Sequence, residues 1–377
     1  MDINVLHLCS YYYGSKLYEN LFKDLGEKNI KQVVYVPIKT GLDIGKINDF
    51  NNCNFIIKET SNNLDRLFFK RKAMKNYTGL LSEININDFN IVHAHTLFTN
   101  GYMAYELNKT YKIPYIVAVR NTDVNVFFKY FIHLRKLGID ILLRAEKIIF
   151  ISPSYKENTI NTYIPEKYKK EIESKSIVLP NGLNDYWIKN RAESSKSLEN
   201  DILRLTYVGE VTKNKNIHKV IQDISHMINK GMNIRYDIVG DGEYLENIKS
   251  LVNEKKLNDH IRIFGKINDK DKIREIFNEN DIFVMTSTFE TFGLSYIEAL
   301  SQGLPVLYTK GQGIYGYYQE GYVGYAVDNG DSIEESLNKL MCRYNEMSAN
   351  AIEVIEEFEW GKIGDKYIDI YSKLLKK

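Results

Sequence analysis

The chain has 377 residues, 50 Lys+Arg against 49 Asp+Glu, and 44% hydrophobic residues. That length exceeds one ordinary core and predicts two domains, and the composition excludes disorder and collagen-like structure. A formal charge of +1 argues against a dedicated nucleic-acid binder, which carries a basic excess.

In chain order, Asn4 to Leu8 reads as a strand and Lys16 to Glu27 as an amphipathic helix. Strands follow at Gln32 to Val36, Asn54 to Ile57, Ile91 to His93, Tyr115 to Val119 and Lys147 to Ile151, with helical patterns such as Tyr102 to Tyr111 between them. A polar, Ser-rich stretch, Trp187 to Asn200, has the composition of a linker. The alternation then restarts with strands at Arg204 to Val208, Arg235 to Val239, Ile261 to Phe264, Ile282 to Met285 and Pro305 to Tyr308. Its helices are Ile217 to Lys230, Tyr244 to Lys255, Lys272 to Asn278 and Leu294 to Gln302. β-then-α alternation predicts an α/β chain of two doubly wound, Rossmann-like domains facing across a cleft, with ligands outside the carboxyl ends of the strands. The expected boundaries are 1–195, joined by a returning helix 361–377, and 196–360.

Cys9, Cys53 and Cys342 match no metal spacing and predict reduced thiols of a cytosolic protein. Met1 to Ser10 does not read as a signal peptide, and no run approaches a membrane span.

The richest chemistry lies between Thr286 and Leu307. A strand ends near Met285, a loop carries Glu290, Gly293 opens a helix containing Glu298, and Gly303 closes it before Pro305. Amides at that helix start, from Gly293 and Leu294 to Ser295, form an anion site suited to a diphosphate, and Gly293 leaves room for it. Glu298 is placed to accept from a ribose diol, and Glu290 to bind sugar hydroxyls.

This stretch, with Glu290 and Glu298 inside Phe-Glu-Thr-Phe-Gly-Leu, resembles the retaining glycosyltransferases of family 4, which have the two-domain GT-B fold. The resemblance covers nearly the whole chain. It includes Tyr207-Val208-Gly209 with Lys215-Asn216, Val239-Gly240-Asp241-Gly242, Val178 to Gly182, and a last helix, Trp360 to Leu375, that crosses back to the N-terminal domain. It implies transfer of a sugar from a UDP- or GDP-sugar with retention of configuration, with no cofactor and no obligatory metal. The leaving diphosphate then needs cations and amides, and Lys215, with Lys213 beside it, is the candidate. Gly14, in Tyr-Tyr-Tyr-Gly-Ser-Lys, resembles the family's glycine turn beside the donor phosphates, and Lys310 to Gly313 its last glycine-rich loop.

Two positions depart from the family pattern. Glu210 stands where an arginine is common, and a carboxylate facing the diphosphate would be repelled, so Glu210 must turn elsewhere. Arg120 stands in place of the family's active-site histidine, with Asp123 retained; an arginine can hold oxygens bidentately but cannot act as a base. His93-Ala94-His95 matches the family's His-x-His and places His95 at the cleft or on the acceptor side.

Two basic-aromatic stretches, Arg66 to Tyr77 and Phe127 to Leu137, have helical spacing suited to an anionic membrane surface. Residues 1–195 hold 27 Lys+Arg against 20 Asp+Glu, so the near-zero total hides a basic N-terminal and an acidic C-terminal lobe. The combined expectation is a bacterial-type, metal-independent enzyme extending a glycan or lipid-linked acceptor in cell-surface or capsular polysaccharide synthesis. It would be cytoplasmic and peripheral on the inner membrane face, with no nucleic-acid partner. A sugar-nucleotide 2-epimerase and a non-catalytic partner subunit are the alternatives.

Overall fold

The computed structural model describes residues 2–376 except 15, 44, 63, 64, 66, 67, 199, 200 and 329; Arg66, which opens the first basic stretch, lies outside the described residues. Seven strands form the first sheet: β1 (Asn4–Leu8), β2 (Lys31–Lys39), β3 (Cys53–Ser61), β4 (Ile91–Ala94), β5 (Tyr115–Val119), β6 (Lys147–Phe150) and β7 (Ser176–Val178). Their order is β3-β2-β1-β4-β5-β6-β7. Six more form the second: β8 (Leu203–Val208), β9 (Ile234–Val239), β10 (Ile261–Gly265), β11 (Ile282–Met285), β12 (Val306–Thr309) and β13 (Gly324–Val327), ordered β10-β9-β8-β11-β12-β13. Neighbouring strands pair in parallel throughout both sheets. The central strands are buried on both faces, which is why β5, β11 and β12 read as unbroken apolar runs. These are the two Rossmann-like domains of a GT-B fold.

The chain divides into a first unit of residues 1–151, 156–182 and 360–377 and a second of 152–155 and 183–359. In the first unit, the helix Trp360–Leu375 returns to pack on the helix Lys16–Glu27, and Ile363, Tyr367, Tyr371 and Leu374 share a core with Leu21, Phe22 and Leu25. Gly182 leaves room for the start of this helix: a Cβ there would lie 2.5 Å from the Trp360 ring. Cys9 and Cys53 are buried free thiols and Cys342 is an exposed one.

Three readings change. Strands β7 and β13 were not legible, because three or four residues at a sheet edge give no period to count. The polar stretch from Trp187 is no free linker. Trp187 belongs to the helix Asp185–Lys189 and is buried against Phe277 at 5.6 Å. Lys196 Nζ donates to the carbonyls of Phe277, Asn278 and Asn280 at the end of the helix Lys270–Glu279. Finally, Phe127 to Leu137 is not one helix. It is broken into a π-helical turn (Asp123–Phe128), a 3-10 turn (Ile132–Leu134) and the start of the helix Arg135–Arg144. Among the described residues, no helix is long and apolar enough to cross a membrane.

Candidate functional site

In the second unit the strand order reverses between β8 and β11, so the loops after these two strands frame the crevice where open α/β sheets bind ligands. The two loops are knitted together. Asn216 Nδ2 donates to the Thr286 carbonyl at 2.7 Å, Thr288 N to the Asn214 carbonyl at 2.8 Å, and Asn214 exchanges bonds with Phe289 through both ends of its amide. Asn216 takes a left-handed conformation (φ 55°), which ends the 3-10 turn Lys213–Lys215 and starts the helix Ile217–Asn229.

This clamp brings Lys215 and Glu290 together. Lys215 Nζ lies 2.6 Å from Glu290 Oε2, with the two side chains 19% and 13% exposed. Glu290 is fixed from three further directions. Its amide donates to Gln312 Oε1, its Oε1 accepts from the Thr291 amide, and its carbonyl accepts from Gly313. Lys213, on the same turn, is exposed. Lys310 pairs with Asp328 at 2.9 Å.

Gly293 has φ 81°, and a Cβ there would meet the Tyr296 ring at 2.6 Å, so the strained turn into the helix Leu294–Leu300 requires glycine. Glu298, on that helix, does not share the Lys215 pair. Burial pushes its carboxyl above the usual range, with the Trp187 indole and Lys270 acting in the other direction. The Trp187 Nε1 is itself buried short of a full hydrogen bond.

Glu210 is exposed, and its backbone carbonyl accepts from the Tyr207 hydroxyl at 2.8 Å and from the Thr212 amide. With Gly209, Gly240, Asp241, Gly242 and Lys266 it borders an open recess of about 570 Å³. Gly240 (φ 148°) allows this approach, because a Cβ there would sit 1.8 Å from the Gly209 carbonyl.

In the first unit the order reverses between β1 and β4. Asp123 lies just after β5 and is 2% exposed; its carboxylate accepts from the amides of Leu97, Phe98 and Arg120 at 2.9–3.1 Å. Burial nevertheless pushes its carboxyl up to about 6. This carboxylate clamps two loops. Burial opposes the charge on Arg120, but Tyr18, Tyr367 and Asp123 around it hold the guanidinium charged, and Nη1 reaches Asn181 Oδ1 at 3.4 Å. Gly14 closes a 3-10 turn, where a Cβ would meet only ordinary contact at 3.7 Å.

His93 and His95 are joined by His7, and all three are fully buried. His7 Nδ1 lies 3.0 Å from His95 Nε2, His93 Nδ1 lies 2.8 Å from the Tyr371 hydroxyl, and the His93 and His95 rings stack at 3.9 Å. Burial, first of all, pushes His7 down to about 3 and His93 and His95 well below the usual imidazole range. Sequence reasoning missed His7, although it stands at a side-chain position equivalent to that of His93. It also missed Tyr367 and Tyr371, whose helix is far along the chain, and Gln312, which it quoted only as part of a glycine-rich loop.

Residues 189–357 match the family model for glycosyl transferases group 1. The alpha-monoglucosyldiacylglycerol synthase of Acholeplasma laidlawii is 24% identical over 251 residues, 62% of this chain and 61% of that protein. The sucrose-phosphate synthase of Thermosynechococcus elongatus superposes over 99% of both chains with a TM-score of 0.73 at 15% identity. HepE of Anabaena in complex with UDP-glucose superposes over 98% of this chain and 100% of its own, with a TM-score of 0.65 at 14% identity. The chain thus combines a GT-B fold with a glycosyl transferases group 1 domain in its second unit, the domain that marks it as resembling the bacterial family 4 glycosyltransferases.

Proposed function

We propose that this protein is a retaining glycosyltransferase that moves a sugar from a UDP- or GDP-sugar to a glycan or lipid-linked acceptor in cell-surface polysaccharide or glycolipid synthesis. The Lys215–Glu290 pair at the β8/β11 crevice carries this reading. It sets one cation and one carboxylate, both largely shielded, beside the glycine-opened helix at Gly293. When donor binds, Lys215 and the amides of Gly293 and Leu294 meet the diphosphate, with Lys213 adding charge at the rim. Glu290 holds sugar hydroxyls and Glu298 the ribose. The C1–O bond to the diphosphate breaks, and the developing anion is stabilised by charge and amides already in place. The acceptor oxygen attacks C1 from the face the diphosphate leaves, and its proton passes to a phosphate oxygen. No protein base is then needed, which suits an arginine at position 120. In the first unit Arg120 binds acceptor oxygens and Asp123 holds its loop. Gly14 is assigned to close approach of a ligand, since packing does not demand a glycine there. This chemistry needs no metal at the diphosphate. UDP-glucose bound to the structurally similar HepE supports testing UDP-hexoses first.

An anionic membrane face is part of the proposal. The two basic-aromatic stretches meet, Phe69 packing on Phe127 at 5.5 Å and Phe127 on Phe131 at 5.5 Å. Around them Phe68 (59%), Tyr130 (67%) and Ile132 (65%) are exposed, beside the exposed Lys70, Lys129 and Lys136. Arg71 and Lys75 are committed to Asp65. Binding to phosphatidylglycerol vesicles is expected to weaken as salt rises; salt-independent or absent binding removes this part.

The core reading is tested with a panel of UDP- and GDP-sugars. Lys215→Ala and Glu298→Ala are each expected to weaken donor use tenfold or more; turnover like the wild type in both contradicts the assignment. Conversion of donor without acceptor would identify an epimerase instead, and no nucleotide-sugar binding at all a non-catalytic subunit.

A further inference from the structure

The three imidazoles of the first unit form an arrangement that packing alone does not explain. His7 and His93 are direct register partners on the adjacent parallel strands β1 and β4. His95 follows His93 by two residues, so strand alternation sends all three toward one face. One ring nitrogen from each lies within 4.8 Å of the other two. His93 Nε2 is buried without a hydrogen-bond partner. Such nitrogens are costly in a dry interior, and native proteins answer them with a water or an ion.

We propose that His7, His93 and His95 form a binding site for one divalent cation of the zinc class, structural in role and distinct from the donor chemistry of the second unit. Imidazole nitrogens suit borderline metals such as zinc, cobalt and nickel, and a His-x-His strand with a third histidine on its neighbour converges three of them. An outer shell is in place. Tyr371 engages His93 Nδ1, which leaves Nε2 as the ligand atom, and Gln32 acts on His7 as a hydrogen-bond partner. His7 Nδ1 and His95 Nε2 share one proton across 3.0 Å. When metal takes both facing nitrogens, that proton moves to the other nitrogen of its own ring, so no net proton is released. One group opposes the ion: the Arg120 charge acts on both His93 and His95. Arg120→Gln is therefore expected to tighten metal binding.

The test is titration of the chelator-treated full chain with cobalt(II), followed by visible ligand-field absorption. One cobalt per chain is expected, displaceable by zinc, with His7→Gln and His95→Gln each lowering affinity at least tenfold. No saturable 1:1 uptake by the wild type, or unchanged uptake by both variants while circular dichroism shows them folded, overturns the proposal. X-ray absorption of the zinc-loaded wild type does not depend on variant folding. Three imidazole nitrogens at about 2.0–2.1 Å support the site, and a shell with fewer than three imidazoles rejects it. Neither result bears on donor use, so failure here leaves the glycosyltransferase reading standing.

Discussion

The two sheets reverse strand order at equivalent places, and the sequence has furnished those places with opposite chemistry. At β8/β11 a lysine and a glutamate face each other with part of each side chain still in reach of water. At β1/β4 three neutral imidazoles lie fully buried among Tyr18, Phe22, Tyr367 and Tyr371. One crevice keeps a charged pair partly in reach of water. The other spends its polar atoms on holding strands, a loop and the terminal helix together. The same fold position thus carries a partly accessible ion pair in one unit and a buried imidazole cluster in the other.

Acid separates the two most strongly. Buried imidazoles have folded pKa values below the unfolded 6.5, so their stability is complete above pH 6.5 and is lost as pH falls toward about 3, the His7 value. Asp123 runs the other way: its raised carboxyl costs stability as pH climbs from 3.8 to about 6, and acid relieves that cost. Three histidines outweigh one carboxyl, so the first unit is expected to lose stability between pH 7 and pH 5. Hydrogen exchange resolved by unit checks this; equal loss in both units would erase the contrast. Next, His93→Ala should cost roughly 3 kcal/mol in urea unfolding, through a cavity and the orphaned Tyr371 hydroxyl, and a cost under about 0.5 kcal/mol would show that the cluster holds nothing. Lys215→Ala should lower kcat/KM about 100-fold with unfolding nearly unchanged, the reverse of the histidine result.

Smaller effects sharpen the picture. Gly293→Ala forces a left-handed residue onto the Tyr296 ring and should cost the second unit about 2 kcal/mol. A thermal midpoint like that of the wild type would mean the turn relaxes freely. Gly14→Ala meets no crowding and should shift stability by less than about 0.5 kcal/mol. If donor and acceptor kinetics are also unchanged, Gly14 has no ligand role.

Much of this was legible in the sequence for definite reasons. Parallel strands buried on both faces announce themselves as apolar runs, and Lys16–Glu27 carries a clean helical period. Glu290 and Gly293 could be placed because a strand, a glycine and a helix bracket them within a dozen residues. What escaped depended on register or on distance along the chain. His7 meets His93 only once β1 and β4 are paired, 86 residues apart. Tyr371 reaches His93 across 278 residues. Trp187 was hidden by its polar neighbours, since composition cannot reveal that one aromatic anchors a stretch to Phe277. Glu298 was placed on its helix correctly, but its burial beside Trp187 is a tertiary fact.

The central claim is that the β8/β11 crevice of the second unit binds a nucleoside-diphosphate sugar through Lys215. Calorimetric titration of the wild type and of Lys215→Ala with UDP- and GDP-hexoses tests it directly. The account predicts saturable 1:1 binding of at least one donor by the wild type, weakened tenfold or more in the variant. No binding by the wild type, or equal affinity in both proteins, would contradict it.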